Sequence, residues 1–179
     1  MRSMSGWAIW LSVLTALCAA CSTGDGDNGP PPTGTKYYAY VSDATHDTVY
    51  GYSINTTTGG WTAVFGSPFA AGDWPAEVVV DPRGKFVYVA NDLSSNISIY
   101  AVQATTGALS EISGSPFDTR GYPRNIAFDR SGRFLYVRHG GDKVSAYSVN
   151  STTGVLTEMA GSPYSTGTQA GNSDMMVDP

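Results

Sequence analysis

One motif recurs along this sequence at a spacing of 48 residues, and that period restricts the possible folds more than any other feature. Asp81-Pro82-Arg83-Gly84-Lys85-Phe86-Val87-Tyr88-Val89-Ala90-Asn91-Asp92 is a turn running into a short strand. Asp129-Arg130-Ser131-Gly132-Arg133-Phe134-Leu135-Tyr136-Val137 lies 48 positions on, and Tyr38-Ala39-Tyr40-Val41 lies 48 positions back. Pro presets φ near about −65°, and Gly accepts the positive φ of a tight reversal. Phe86 to Val89 reads as a strand buried on both faces, because no polar residue interrupts it.

The segments between these copies repeat as well. Val49 to Ile54, Ile97 to Val102 and Val144 to Val149 alternate as strands. Thr57-Thr58-Gly59, Thr105-Thr106-Gly107 and Thr152-Thr153-Gly154 then turn, and Trp61 to Val64, Ala108 to Ile112 and Val155 to Met159 follow. Each unit reaches a Gly-Ser-Pro-aromatic corner at 66–69, 114–117 or 161–164. Pro75 and Pro123 precede one more apolar run, Val78 to Val80 and Ile126 to Phe128. Four strands per unit, with no sustained helical periodicity, predict an all-β chain in which each unit is one four-stranded antiparallel blade of a β-propeller.

On this reading residues 36–72 form a partial blade lacking its inner strand, 73–120 and 121–170 two full blades, and 171–179 the first strand of the next. Such rings typically hold about 4 to 8 blades, and Val177-Asp178-Pro179 matches Val80-Asp81-Pro82. The expectation is therefore a fragment, about three blades of a larger ring; a three-blade protein that closes by self-association is the alternative.

Residues 1–21 read as a targeting segment, with Arg2 ahead of an apolar run from Trp7 to Ala20 that is shorter than the about 20 residues a membrane span needs. Leu17-Cys18-Ala19-Ala20-Cys21 resembles a bacterial lipoprotein signal, which would make Cys21 the lipidated terminus; an ordinary secretory signal cut near Ala20 is the alternative. Residues 22–35, rich in Gly, Asp and Pro, read as a flexible tether, which puts the chain in the bacterial cell envelope, attached to the membrane through Cys21. Removing Cys18 with the signal leaves a single cysteine, so stability must come from packing. A formal net charge of −5 with no basic stripe argues against a nucleic-acid partner. The sequons at Asn55, Asn96 and Asn150 read as turn and strand residues.

Gly-Lys-Phe-Val-Tyr-Val-Ala-Asn (84–91), Asn-Ile-Ser-Ile-Tyr-Ala-Val (96–102), Thr-Gly-Ala-Leu-Ser (106–110) and Gly-Ser-Pro-Phe (114–117) resemble the lactonase family of seven-bladed β-propellers, which includes 6-phosphogluconolactonases of the cycloisomerase type. Tyr88-Val89-Ala90-Asn91 also resembles the Tyr-Val-Thr-Asn repeat of surface-layer propellers. The resemblance implies a full-length ring of seven units, about half of it missing here, and hydrolysis of a sugar lactone at the central channel. A non-catalytic surface or periplasmic binding propeller is the alternative, and a redox propeller a distant third.

Comparing units separates packing from chemistry, because a structural position keeps its residue type while a functional one is free to differ. The end of the second strand reads Asp43, Asn91, His139; its neighbour reads Ser42, Ala90, Arg138. Before the inner strand stand Ala76-Glu77, Arg124-Asn125 and Ser173-Asp174. Opening a lactone needs a base for water and a cation for the oxyanion, so His139 or Glu77 is the candidate base and Arg124 or Arg138 the candidate clamp. Set against this, a His beside Gly140-Gly141 is commonly a turn residue, and Glu77 commonly a partner for backbone amides. His46 lies mid-loop, and the faithfully repeated Tyr52, Tyr100 and Tyr147 read as inter-blade packing. Two His, no usable Cys pair and scattered Asp predict no metal, and the sequence carries no cofactor motif.

Overall fold

The computed structural model describes residues 36–170 and 175–177. The targeting segment, Cys21, the tether and Ser173-Asp174 lie outside the described residues.

Three antiparallel sheets follow one another. The first holds β1 (Tyr37–Asp43), β2 (Thr48–Ile54), β3 (Trp61–Ala63) and β4 (Phe69–Ala70). The second runs β5 (Pro75–Val80), β6 (Phe86–Asn91), β7 (Asn96–Val102), β8 (Leu109–Glu111) and β9 (Phe117–Asp118). The third repeats this order as β10 (Pro123–Phe128), β11 (Phe134–His139), β12 (Gly141–Val149), β13 (Leu156–Glu158) and β14 (Tyr164–Ala170). The blades expected from the repeat are therefore present, with the inner strand absent from the first among the described residues. Among the described residues, 175–177 are in no strand, and the rest of the segment expected to open a further blade lies outside the described residues.

Each reversal is written in its side chains. Asp81 Oδ1 accepts from the Lys85 and Phe86 amides at 2.6 and 2.8 Å, and Asp129 Oδ1 does the same for Arg133 and Phe134. These bonds replace ladder pairing lost in the turn. Asn55 and Asn150 cap the Thr-Thr-Gly turns through their side-chain oxygens, so both sequon asparagines are turn residues, while Asn96 opens β7.

The outer strand is split, which the sequence reading did not foresee. β8 pairs with the end of β7 and β9 with its start. Between them the corner serine accepts the amide left over: Ser67 from Gly51, Ser115 from Ile99 and Ser162 from Ala146, at 2.8–3.1 Å. The Ser-Pro bond at each corner is cis.

Alternation along β6 makes two cores from one strand. Val87 and Val89 turn toward the first sheet, while Phe86, Tyr88 and Ala90 turn toward the third; all six residues of the strand are buried. Tyrosines lock the interfaces: Tyr40 Oη donates to the Gly107 carbonyl and Tyr88 Oη to that of Gly154, both at 2.8 Å. Tyr100 donates to Ala70 across the first interface, and the Tyr147 ring meets Phe117 edge-on across the second. The inter-blade reading of these two tyrosines therefore holds; Tyr52 instead packs beside Tyr50 and Trp61 within the first sheet.

Candidate active site

His139 ends β11 on the face that also carries Leu135 and Val137, so its ring turns toward the second blade. It is 6% exposed, and its Nε2 lies 2.8 Å from Ser145 Oγ on β12. The equivalent Asn91 makes the same kind of bond one blade earlier, Nδ2 donating to Ser98 Oγ at 2.9 Å. A glycine lets each side chain in: a Cβ on Gly121 would stand 3.0 Å from His139 Nδ1, and one on Gly72 2.8 Å from Asn91 Nδ2. Nδ1 thus faces the Gly121 backbone without a well-aligned hydrogen bond.

The ring lines a cleft of about 410 Å³ between the second and third blades, with Arg120, Lys143 and Glu158 around it. A smaller cleft of about 200 Å³ occupies the matching place between the first and second blades, with Asn96, Ser98 and Glu111 at its wall. Where the smaller cleft has Asn96, the larger has Lys143, and His139 enters the larger one while its counterpart Asn91 stays out of the smaller. Burial in a medium that penalises charge pushes the His139 pKa below its ordinary value; Glu158 opposes this and Lys143 reinforces it. The shift favours the neutral imidazole, the form that can accept a proton.

The other sequence candidates are distributed around this centre. Arg138, one residue earlier on the strand, points to the opposite face, buried on the side that Ala90 turns toward the next blade. Arg124 lies alongside Gly140 and pairs with Asp92 of the preceding blade, Nε to Oδ2 3.2 Å. The buried Glu77 carboxylate accepts the Ile126 amide at 2.5 Å, stapling the inner strands of adjacent blades. Asn125, its counterpart, accepts the Met175 amide at 2.8 Å. His46 stays local, its Nδ1 2.8 Å from Asp43 Oδ2, and this hydrogen bond is the main influence holding the Asp43 carboxyl below its ordinary range. Arg120, Lys143, Ser145 and Glu158 were not foreseen; the change from Asn96 to Lys143 between aligned units was the available signal.

A family model described as lactonase, 7-bladed beta-propeller matches residues 33–120 and 67–169. Among solved structures, a candidate 6-phosphogluconolactonase of Bacteroides fragilis superposes with a TM-score of 0.64 at 21% identity, over 72% of this chain and 36% of that one. A second candidate 6-phosphogluconolactonase, from Bacteroides uniformis, gives 0.63 at 23% over 75% and 38%. The periplasmic gluconolactonase of Pseudomonas aeruginosa gives 0.56 at 21% over 71% and 37%. The chain thus spans little more than a third of these structures, and at such identities they establish its fold alone. No curated protein sequence matches significantly. With the family model covering most of the described blades, the chain belongs to the lactonase family of seven-bladed β-propellers.

Proposed function

We propose that the complete protein is a lactone hydrolase of the bacterial cell envelope, opening the cyclic ester of a sugar acid, with His139 as its base. The observation that carries this reading is a buried imidazole, its neutral form favoured and its ring oriented by Ser145, at the wall of a cleft with cations beside it. Ser145 Oγ, at the cleft wall, takes a proton from water as the oxygen attacks the lactone carbonyl and passes its own to His139 Nε2; Lys143 and Arg120 stabilise the oxyanion. The imidazolium then returns the proton to the ring oxygen as the carbon–oxygen bond breaks, leaving the open hydroxy acid.

His139→Asn tests the base, because Asn91 shows that asparagine fits the equivalent position with the same serine partner. Hydrolysis of glucono-δ-lactone or its 6-phosphate by the complete protein should fall by about a hundredfold or more. Unchanged turnover would remove His139 from the chemistry, and no hydrolysis by wild type would favour the binding propeller. That second reading is supported by the same Asn91–Ser98 pair, which occupies the matching place one blade earlier without a titratable group.

Attachment through Cys21 is part of the proposal, motivated by the apolar run, the Ala-Ala-Cys ending and the spacer that follows. Labelled palmitate should enter wild type and not Cys21→Ser; equal labelling, or none, would reject it.

A further inference from the structure

The link from each outer strand to the next inner strand ends in an aromatic residue just before a proline: Trp74-Pro75 and Tyr122-Pro123. Other tyrosines repeated between blades are buried, Tyr100 at 4% and Tyr147 at 1% exposed, and serve packing. Trp74 and Tyr122 are 51% and 56% exposed, so packing does not account for them. Their backbones are nevertheless fixed. Trp74 has φ +56°, a conformation bulky residues avoid, and hydrogen bonds from two neighbouring loops hold it there. Its amide donates to Asp47 Oδ1 and its carbonyl accepts from the Asp92 amide, both at 2.9 Å. Tyr122 is held alike, its carbonyl accepting from the Gly140 amide at 3.0 Å.

The Asp92–Arg124 pair, Nε to Oδ2 3.2 Å, links the loops that carry the two aromatics. Asp92 is tied to Trp74 through the backbone bond just described, and Arg124 stands two residues after Tyr122. An aromatic face attracts the polarised C–H groups of a pyranose ring, and the Arg124 guanidinium, half-exposed and held from behind by the buried Asp92, offers donors to adjacent hydroxyls. Rings held by a rigid backbone lose little entropy on binding.

We infer that Trp74 and Tyr122, on the matching links of adjacent blades and with Arg124 beside them, form a carbohydrate-binding rim for a glycan of two or more pyranose rings. The glycan is a neutral one: the arginine is already paired with a carboxylate, and a chain of net charge −5 does not favour a polyanion. Tyr122 also lines the His139 cleft, so the rim adjoins the proposed active site, but glycan binding there needs no lactone chemistry and stands whether or not His139 is a base.

Isothermal titration of the full chain with cellohexaose, xylohexaose and chitohexaose tests it. At least one should bind, more tightly than its monosaccharide. Trp74→Asn, chosen because asparagine tolerates the left-handed backbone, and Tyr122→Ala should each weaken binding by about tenfold or more. Trp61→Ala, at an exposed tryptophan on the outer strand, should leave binding unchanged. No binding of any hexasaccharide, wild-type affinity in Trp74→Asn, or an equal loss in Trp61→Ala would overturn the inference. A protein that binds the hexasaccharide and opens no lactone would keep the rim and discard the hydrolase.

Discussion

Replacing Gly154 by alanine measures how tightly the blades are pressed together. Gly154 has φ +78°, and its turn reaches across to the second blade, where Tyr88 bonds its carbonyl. A Cβ there would lie 2.7, 2.9 and 3.1 Å from three ring atoms of Phe86, which is only 6% exposed. The ring would have to retreat by nearly 1 Å to restore ordinary carbon–carbon contact of about 3.5 Å, within a close-packed core. Left-handed strain costs about 1–2 kcal/mol, and overpacking adds about 1–3 kcal/mol, so Gly154→Ala should lose about 2–5 kcal/mol. Gly114→Ala is the control, since φ is +92° but the nearest neighbour, Val155 Cγ2, is 3.9 Å away. It should lose only the strain, about 1–2 kcal/mol. Urea unfolding followed by tryptophan fluorescence, with the denaturant slope checked for constancy, gives both values. Equal losses in the two variants would refute the claim that this turn is clamped between blades.

In the complete ring Gly59→Ala should cost as much as Gly154→Ala, although no atom lies within 4 Å of a Cβ at Gly59 in this structure; a loss no larger than that of Gly114→Ala would mean that the first blade's turn stays uncovered. Glu77→Ala should lose about 1–3 kcal/mol by orphaning the buried Ile126 amide, and Glu77→Gln should recover most of it. An equal loss in both, by urea unfolding, would show that the acceptor does not matter. Tyr88→Phe should cost about 1 kcal/mol for its buried bond to the Gly154 carbonyl; a neutral result would make that bond dispensable. Because burial lowers the His139 pKa below its unfolded value of about 6.5, the unfolded chain binds the proton first, so stability is full above that pH and falls as pH drops below it. His139→Asn should remove that part of the acid decline in thermal melts between about pH 7 and 5; an unaltered profile would place the lost proton elsewhere.

The blades were legible because their turns are local. Asp81 and Asp129 cap reversals within five residues of themselves, and Asn55 and Asn150 within three, so the residues that make each turn stand together in the sequence. The split outer strand was not legible, since β4 and β9 are two residues long and the bond that accommodates the gap runs from Ser115 to Ile99, sixteen residues back. The role of Glu77 was hidden for the same reason, its partner amide being 49 residues away.

The candidate site shows where comparing repeats succeeds and where it needs one more step. Aligning units singled out His139, because Asp43, Asn91 and His139 differ where the surrounding strand does not. Arg138 arose by the same comparison, but neighbouring residues of a strand face opposite ways, and here the two faces belong to different blade interfaces. Within this strand the interface each residue meets follows from parity: Val87 and Val89 turn back toward the first blade, so every residue of the strand an even number of positions from them also turns back. Applied to the third unit, that rule groups His139 with Leu135 and Val137, and sends Arg138 the other way. It could not supply Lys143 and Glu158, which reach the cleft from β12 and β13 of the same blade, because the width that leaves room for them is set by how the blades pack. Two clefts of one design, about 410 and 200 Å³, therefore differ through a handful of side chains, and those substitutions rather than the shared strands are what a functional account of this propeller has to explain.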